Sequence, residues 1–174
     1  AVSRPSVRRQ AGNGLILIRI MIAIIAEKPS VGQEIARVVG ATEKKDGYIT
    51  GNGYMVTWAL GHLVSLALPG TYGYTRTTAE DLPMLPEPFR LVERQIRTDR
   101  GMVTDIAAGR QLKVIDGVFS ECDSIIVATD AGREGELIFR WIYSHLGCTK
   151  PFKRLWFSSL TDEAIRKGMA DLRE

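Results

Sequence analysis

The chain has 174 residues, 45% of them hydrophobic and 25% charged, with a net charge of +3. That is enough chain for one domain with a real core, and the mild positive excess permits nucleic-acid contact without demanding it. Cys122 and Cys148 are too few and too far apart for a zinc cluster, and the apolar run from Leu15 to Ala26, broken by Arg19, falls short of the ~20 residues a membrane span needs.

Residues 1–20 carry Arg4, Arg8, Arg9 and Arg19 among small and polar residues and read as an upstream extension or leader; a basic arm on DNA is the alternative, weakened by the lack of aromatics. Met21 to Ala26 is an apolar strand that ends on Glu27. A helix follows, with Ser30 as the expected cap, Gln33 completing a capping box, Ile35, Val38 and Val39 as the buried face and Gly40 as the stop. Tyr48-Ile49-Thr50 and Tyr54 to Trp58 flank Gly51-Asn52-Gly53, a hairpin signal. Pro69 to Pro88 is loop-like, with Tyr72 and Tyr74 expected at the surface of an ordered excursion. Leu91 to Ile96 alternates as a short strand. Met102, Val103, Ile106 and Ala107 suggest a helical turn or two, and Leu112, Ile115, Val118 and Phe119 a clearer helix.

The most informative stretch comes next. Ser124 to Ala128 is an apolar run leading through Thr129 to Asp130, and Ala131-Gly132-Arg133-Glu134-Gly135-Glu136 opens a helix whose expected face is Leu137, Ile138, Trp141 and Ile142. In parallel α/β sheets, ligands bind beyond the carboxyl ends of the strands. If the two acid-ended strands share one parallel sheet, Glu27 and Asp130 emerge at the same edge. Glu134, four residues on, can face the same ion, while Glu136 is expected to point elsewhere. Hard carboxylate oxygens suit Mg²⁺, and Arg133 adds a planar donor fork that matches phosphate oxygens. A final strand is expected over Phe152 to Phe157. The last helix is capped by Thr161, with Ile165, Met169 and Leu172 as its face.

Three ordered motifs carry a resemblance: Glu27-Lys28-Pro29-Ser30, Trp58-Ala59-Leu60-Gly61-His62-Leu63, and Thr129-Asp130-Ala131-Gly132-Arg133-Glu134-Gly135-Glu136. Together they resemble the Toprim domain of type IA DNA topoisomerases, in the topoisomerase III branch. The resemblance implies an α/β Toprim fold, Rossmann-like, with a mostly parallel sheet flanked by helices. It implies an extension over 1–20, the Toprim domain over 21–152 and the start of the following topoisomerase domain over 153–174. It also implies Mg²⁺ held by Glu27, Asp130 and Glu134, and Glu27, Lys28, Arg133 and His62 as catalytic residues. The partners implied are a single-stranded DNA segment and the remaining domains of a longer chain, which carry the nucleophilic tyrosine of a transient 5′-phosphotyrosyl link. A cytoplasmic, nucleoid-associated and monomeric protein, free of membrane, goes with this reading, and a fragment without that tyrosine is expected to be inactive in relaxation.

One departure stands out. Many relatives carry Asp-x-Asp-x-Glu where position 132 here is Gly, which removes one carboxylate and leaves the number of metals open. The competing readings are a Toprim domain of a primase or nuclease, and a non-catalytic Rossmann-like ligand-binding module.

Overall fold

The computed structural model describes residues 6–11, 14–74, 78–99 and 101–174. Residues 1–5 and 12–13 of the expected extension lie outside it, and the backbone at Ser6–Ala11 (β1) and Gly14–Arg19 (β2) forms an antiparallel hairpin. The side chains of Arg4, Arg8, Arg9 and Arg19 lie outside the described residues.

Ile22–Ala26 forms the next strand (β3) and Pro29–Val39 the first helix (α1). The helix starts two residues earlier than the Ser30 capping box predicts. Pro29 takes the first helical position, where its fixed φ suits the helix and its missing N–H is no loss, so Lys28 is the cap residue and no side chain caps. Gly40 ends the helix in the left-handed conformation at φ 80°. Glu43–Lys45 (β4), Tyr48–Gly51 (β5) and Tyr54–Trp58 (β6) form an antiparallel meander. The turn between β5 and β6 places Asn52 at φ 52° and Gly53 at φ 85°, as a tight two-residue hairpin requires. Strand β4 had no sequence signal, because its residues are all charged and exposed, a composition that suits a sheet edge.

Val64–Leu66 (β7) pairs with Leu91–Glu93 (β8), and Gln95–Thr98 (β9) pairs with Gly101–Thr104 (β10). Met102 and Val103 therefore lie in a strand, not in the expected helical turn. Gly101 at φ 103° folds the chain back, and the helix waits for Asp105, whose carboxylate accepts from the Ala107 and Ala108 N–H groups. That helix (α2) spans Ile106–Glu121. The Pro69–Pro88 excursion holds two short 3₁₀ turns, and Tyr72 is half-buried, its hydroxyl oxygen accepting from the Arg90 N–H at 2.7 Å.

Ser124–Ala128 (β11), Arg133–His145 (α3), Phe152–Arg154 (β12) and Asp162–Ala170 (α4) complete the chain. The main sheet has the order β12-β11-β3-β6-β5-β4, parallel from β12 to β6 and antiparallel beyond. Alternate residues of β3 and β11 face opposite layers, as the pleat dictates. Ala23, Ile25, Ile125 and Val127 meet Leu112, Ile115 and Phe119 of α2 and Ile138, Phe139 and Ile142 of α3. Ile24, Ala26, Ile126 and Ala128 meet Ile35 and Val39 of α1 and Ile165 of α4. Strands buried on both faces read as unbroken apolar runs, which is why β3 and β11 were plain in the sequence. In α3 the buried face is Ile138, Phe139 and Ile142; Leu137, expected there, is 37% exposed. No helix among the described residues is long and apolar enough to cross a membrane. Both cysteines are unpaired, and burial pushes the Cys122 thiol up to about 12, so it packs as a small apolar group.

Candidate active site at the sheet edge

Ala26 and Ala128 are partners in the parallel ladder, and Ala26 and Trp58 are partners on the other side. Three chain segments therefore leave the sheet side by side at its carboxyl edge: Glu27 after β3, Thr129-Asp130 after β11, and Ala59 to His62 after β6. The expected meeting of Glu27 and Asp130 follows from this register. Glu27 is half-buried, and its Oε2 accepts from the Asp130 N–H at 3.4 Å; Asp130 itself is exposed.

The turn from Asp130 into α3 is tight. The Gly132 N–H donates to the Asp130 carbonyl at 2.8 Å, and the Thr129 hydroxyl, buried below, donates to the Gly135 carbonyl at 2.7 Å. The two glycines of the motif differ in purpose. A Cβ at Gly135 would lie 2.1 Å from the Asp130 carbonyl oxygen and 2.7 Å from its nitrogen. Gly135 is thus what lets the first turn of α3 sit on the backbone that carries the acid. Gly132 has φ −166°, extended backbone open to any residue, and nothing stands within 4 Å of where its Cβ would be. The fold does not require glycine there.

Glu134 is largely exposed, and its Oε1 lies 2.5 Å from His62 Nε2. The His62 ring also stacks obliquely on Trp141 of α3 with 5.6 Å between centroids. Trp141, assigned to the core by the sequence, is half-buried and serves as a wall for His62. Glu136 points away as expected: it is ion-paired with Arg140 at 2.7 Å and with Arg154 of β12. Arg154 also donates to the Thr129 carbonyl at 3.2 Å, tying the turn to the neighbouring strand. Lys28 and Arg133 are exposed, and among the described residues their side chains make no hydrogen bond or ion pair.

Burial raises the Glu136 carboxyl, but the hydrogen bonds and charges of Arg140 and Arg154 outweigh it and hold the group below its usual range. A carboxylate with a depressed folded pKa contributes stability above its unfolded value of about 4.3 and loses it as pH falls through the folded value. Glu136→Gln is therefore expected to flatten the loss of stability on acidification below about pH 4.3. Urea unfolding at a series of pH values down from neutral checks this; an unchanged acid limb would mean the Arg pair holds no differential for the charged form.

No group of three or more His, Cys, Asp and Glu among the described residues is already gathered as a metal cluster. The donor chemistry nevertheless suits a hard cation that keeps waters: the Glu27 carboxylate meets the Asp130 backbone N–H, and the carboxylates of Asp130 and of Glu134 at the start of α3 are exposed. A cleft of about 250 Å³ opens beside Asp130, lined by Thr129, Leu155, Ser158 and Ser159.

Several supporting residues had no sequence signal. Arg94 and Arg154 fall inside the strands expected over Leu91 to Ile96 and Phe152 to Phe157, with no motif to mark either. Gln111, buried in α2, donates to the Trp58 carbonyl at 2.8 Å and so holds the end of β6. A polar residue inside a helical pattern shows its partner only once the layers are assembled.

The family profile described as the Toprim domain matches residues 22–160. The chain is 46% identical over 154 residues to DNA topoisomerase 3 of Bacillus licheniformis and, equally, to that of Bacillus subtilis; it is 48% identical over 155 residues to that of Bacillus anthracis. Each alignment covers 86% of this chain and 20% of the relative, so the chain spans about a fifth of the length of these proteins. Among solved structures, full-length topoisomerase I from Thermotoga maritima superposes with a TM-score of 0.52 at 20% identity, over 87% of this chain and 21% of that one, a likeness of fold.

Proposed function

This chain belongs to the Toprim domain family, and from that membership and the edge geometry we propose that it is the Mg²⁺-binding Toprim part of a type IA DNA topoisomerase of the topoisomerase III kind. The observation that carries the reading is the pairing of Glu27 with Asp130 at the in-register ends of adjacent parallel strands, with Glu134 one turn beyond. The whole protein would cut one DNA strand through a transient 5′-phosphotyrosyl link and reseal it, relaxing or decatenating DNA. The nucleophilic tyrosine would come from the rest of the longer protein, since this chain spans about a fifth of the length of its relatives.

Glu27 and Asp130 would hold Mg²⁺, with Glu134 as a third ligand, and the bound ion would offset the negative charge of a DNA phosphate. Lys28 and Arg133, whose head groups have no protein partner among the described residues, are placed to take phosphate oxygens. Glu27, half-buried beside them, is the group to move a proton between attacking or departing oxygen and solvent. His62 supplies a further donor for phosphate. The substrate segment is single-stranded DNA. The working protein is a monomer in the cytoplasm, associated with the nucleoid.

Plasmid relaxation by the longer protein that contains this chain tests the reading, alongside Mg²⁺ titration of the 174-residue chain by calorimetry. Glu27→Ala is expected to abolish relaxation, and Asp130→Asn to weaken Mg²⁺ binding several-fold. Relaxation undiminished by Glu27→Ala would remove that residue from the chemistry. Nicked circles that never reseal, or newly made primers, would move the domain to a nuclease or a primase.

A further inference from the structure

Arg94 lies between β8 and β9, and its guanidinium makes four hydrogen bonds. Nε and Nη2 donate to Asp105 Oδ2 at 2.9 and 2.6 Å, and Nη1 donates to the carbonyls of Leu60 at 2.9 Å and His62 at 3.1 Å. The second oxygen of Asp105 caps α2, and hydrogen bonds to Arg94 hold the Asp105 carboxyl below its usual range. The Arg94 backbone joins in: its N–H donates to the Leu63 carbonyl at 2.8 Å and its carbonyl accepts from the Asp105 N–H at 2.8 Å. One side chain thus ties the segment leaving β6 to the start of α2.

In that segment Leu60 packs against the core and His62 reaches α3, and the backbone turns between them at Gly61. Gly61 stands at φ +68°, with nothing within 4 Å of where a Cβ would lie. The two carbonyls flanking Gly61 are the ones Arg94 grips. Beyond them the His62 imidazole reaches Glu134 and Trp141. An isolated exposed ion pair would contribute little. A planar fork spread over one carboxylate and two carbonyls fixes geometry instead, and a lysine ammonium cannot span the same acceptors.

We infer that Arg94 is a positioning residue of this edge: by holding the Leu60 and His62 carbonyls it aims the His62 imidazole at Glu134. Its importance to DNA chemistry rests on the reading proposed above. Arg94 makes no contact with Glu27, Asp130, Glu134, Lys28 or Arg133 and meets His62 only at its backbone carbonyl, so it acts through that residue.

The test has two arms. In the 174-residue chain, which has two histidines, NMR is expected to show nuclear Overhauser contacts between the His62 ring and the Trp141 indole. Arg94→Gln and Arg94→Lys should each lose those contacts and shift the His62 ring protons. Arg110→Gln, which removes an exposed pair with Asp46, should leave them intact. If Arg94→Gln fails to fold, Arg94→Lys decides; contacts retained in Arg94→Lys would overturn the proposal. In the longer protein, Arg94→Lys is expected to slow relaxation on the order of 10- to 100-fold, the scale of a misplaced group. Adding it to His62→Ala should slow relaxation no further than His62→Ala alone, and multiplying losses would overturn the role through His62. If the topoisomerase reading itself fails, the unsubstituted longer protein relaxes nothing, while the NMR arm still reports on Arg94.

Discussion

Gly135→Ala is expected to lower stability by about 3 kcal/mol, which for a chain of this size means a melting temperature lower by roughly 6–12 °C. The cause is a collision between backbone and Cβ. The new methyl would stand 2.1 Å from the Asp130 carbonyl oxygen, and a carbonyl cannot turn aside as a side chain can. Relief requires the first turn of α3 to lift from the strand-end turn, which would also break the hydrogen bond from the Thr129 hydroxyl to the Gly135 carbonyl. The acids ride on that turn, so under the proposed function Mg²⁺ affinity should fall together with stability. Gly132→Ser is the matched control: same motif, extended backbone, open space, and a residue favoured at a helix cap, with an expected change within about 0.5 kcal/mol. Thermal unfolding of the two variants side by side checks the claim. Equal melting temperatures would mean that the close approach at Gly135 is not what seats the helix.

Phe139→Ala should cost about 3–5 kcal/mol, the sum of lost transfer energy and the cavity left behind. Phe139 is fully buried and packs edge-on against Phe152 of β12 at 5.0 Å between centroids, with Tyr143 of its own helix at 5.5 Å. It therefore joins α3 to the outermost parallel strand. Urea unfolding at constant m would show the effect as a lower midpoint. A loss below about 1 kcal/mol would show that the site collapses around the smaller side chain, contrary to the close packing expected of such a core. Phe139→Leu should recover much of the loss.

The parts of this fold that a sequence states directly are those where one physical demand dominates. β3 and β11 are buried on both faces, so their apolar runs were unambiguous, and the carboxylates that end them were legible as an edge pair. The Asn52-Gly53 turn was legible because only left-handed residues close it. The start of α1 was misplaced because Ser30 offered a capping box while Pro29 offered a first turn, and the proline prevailed. Met102 and Val103 were misplaced because two apolar residues near a helix fit either period, and only pairing with β9 decides. In the candidate site, Glu27, Asp130, Glu134 and His62 were named from their motifs. Arg94, Arg154 and Gln111 were not, since their partners lie 18 or more residues away in most of their contacts and have no local pattern.

The open space at Gly132 separates two demands that a compact motif normally binds together. An acidic side chain could be introduced there without displacing a neighbour, whereas three residues later even a methyl group meets backbone. The number of charges at the sheet edge can thus drift between lineages by single substitutions while the architecture stays put. Variation at position 132 would record selection on chemistry alone, and constancy at position 135 selection on packing.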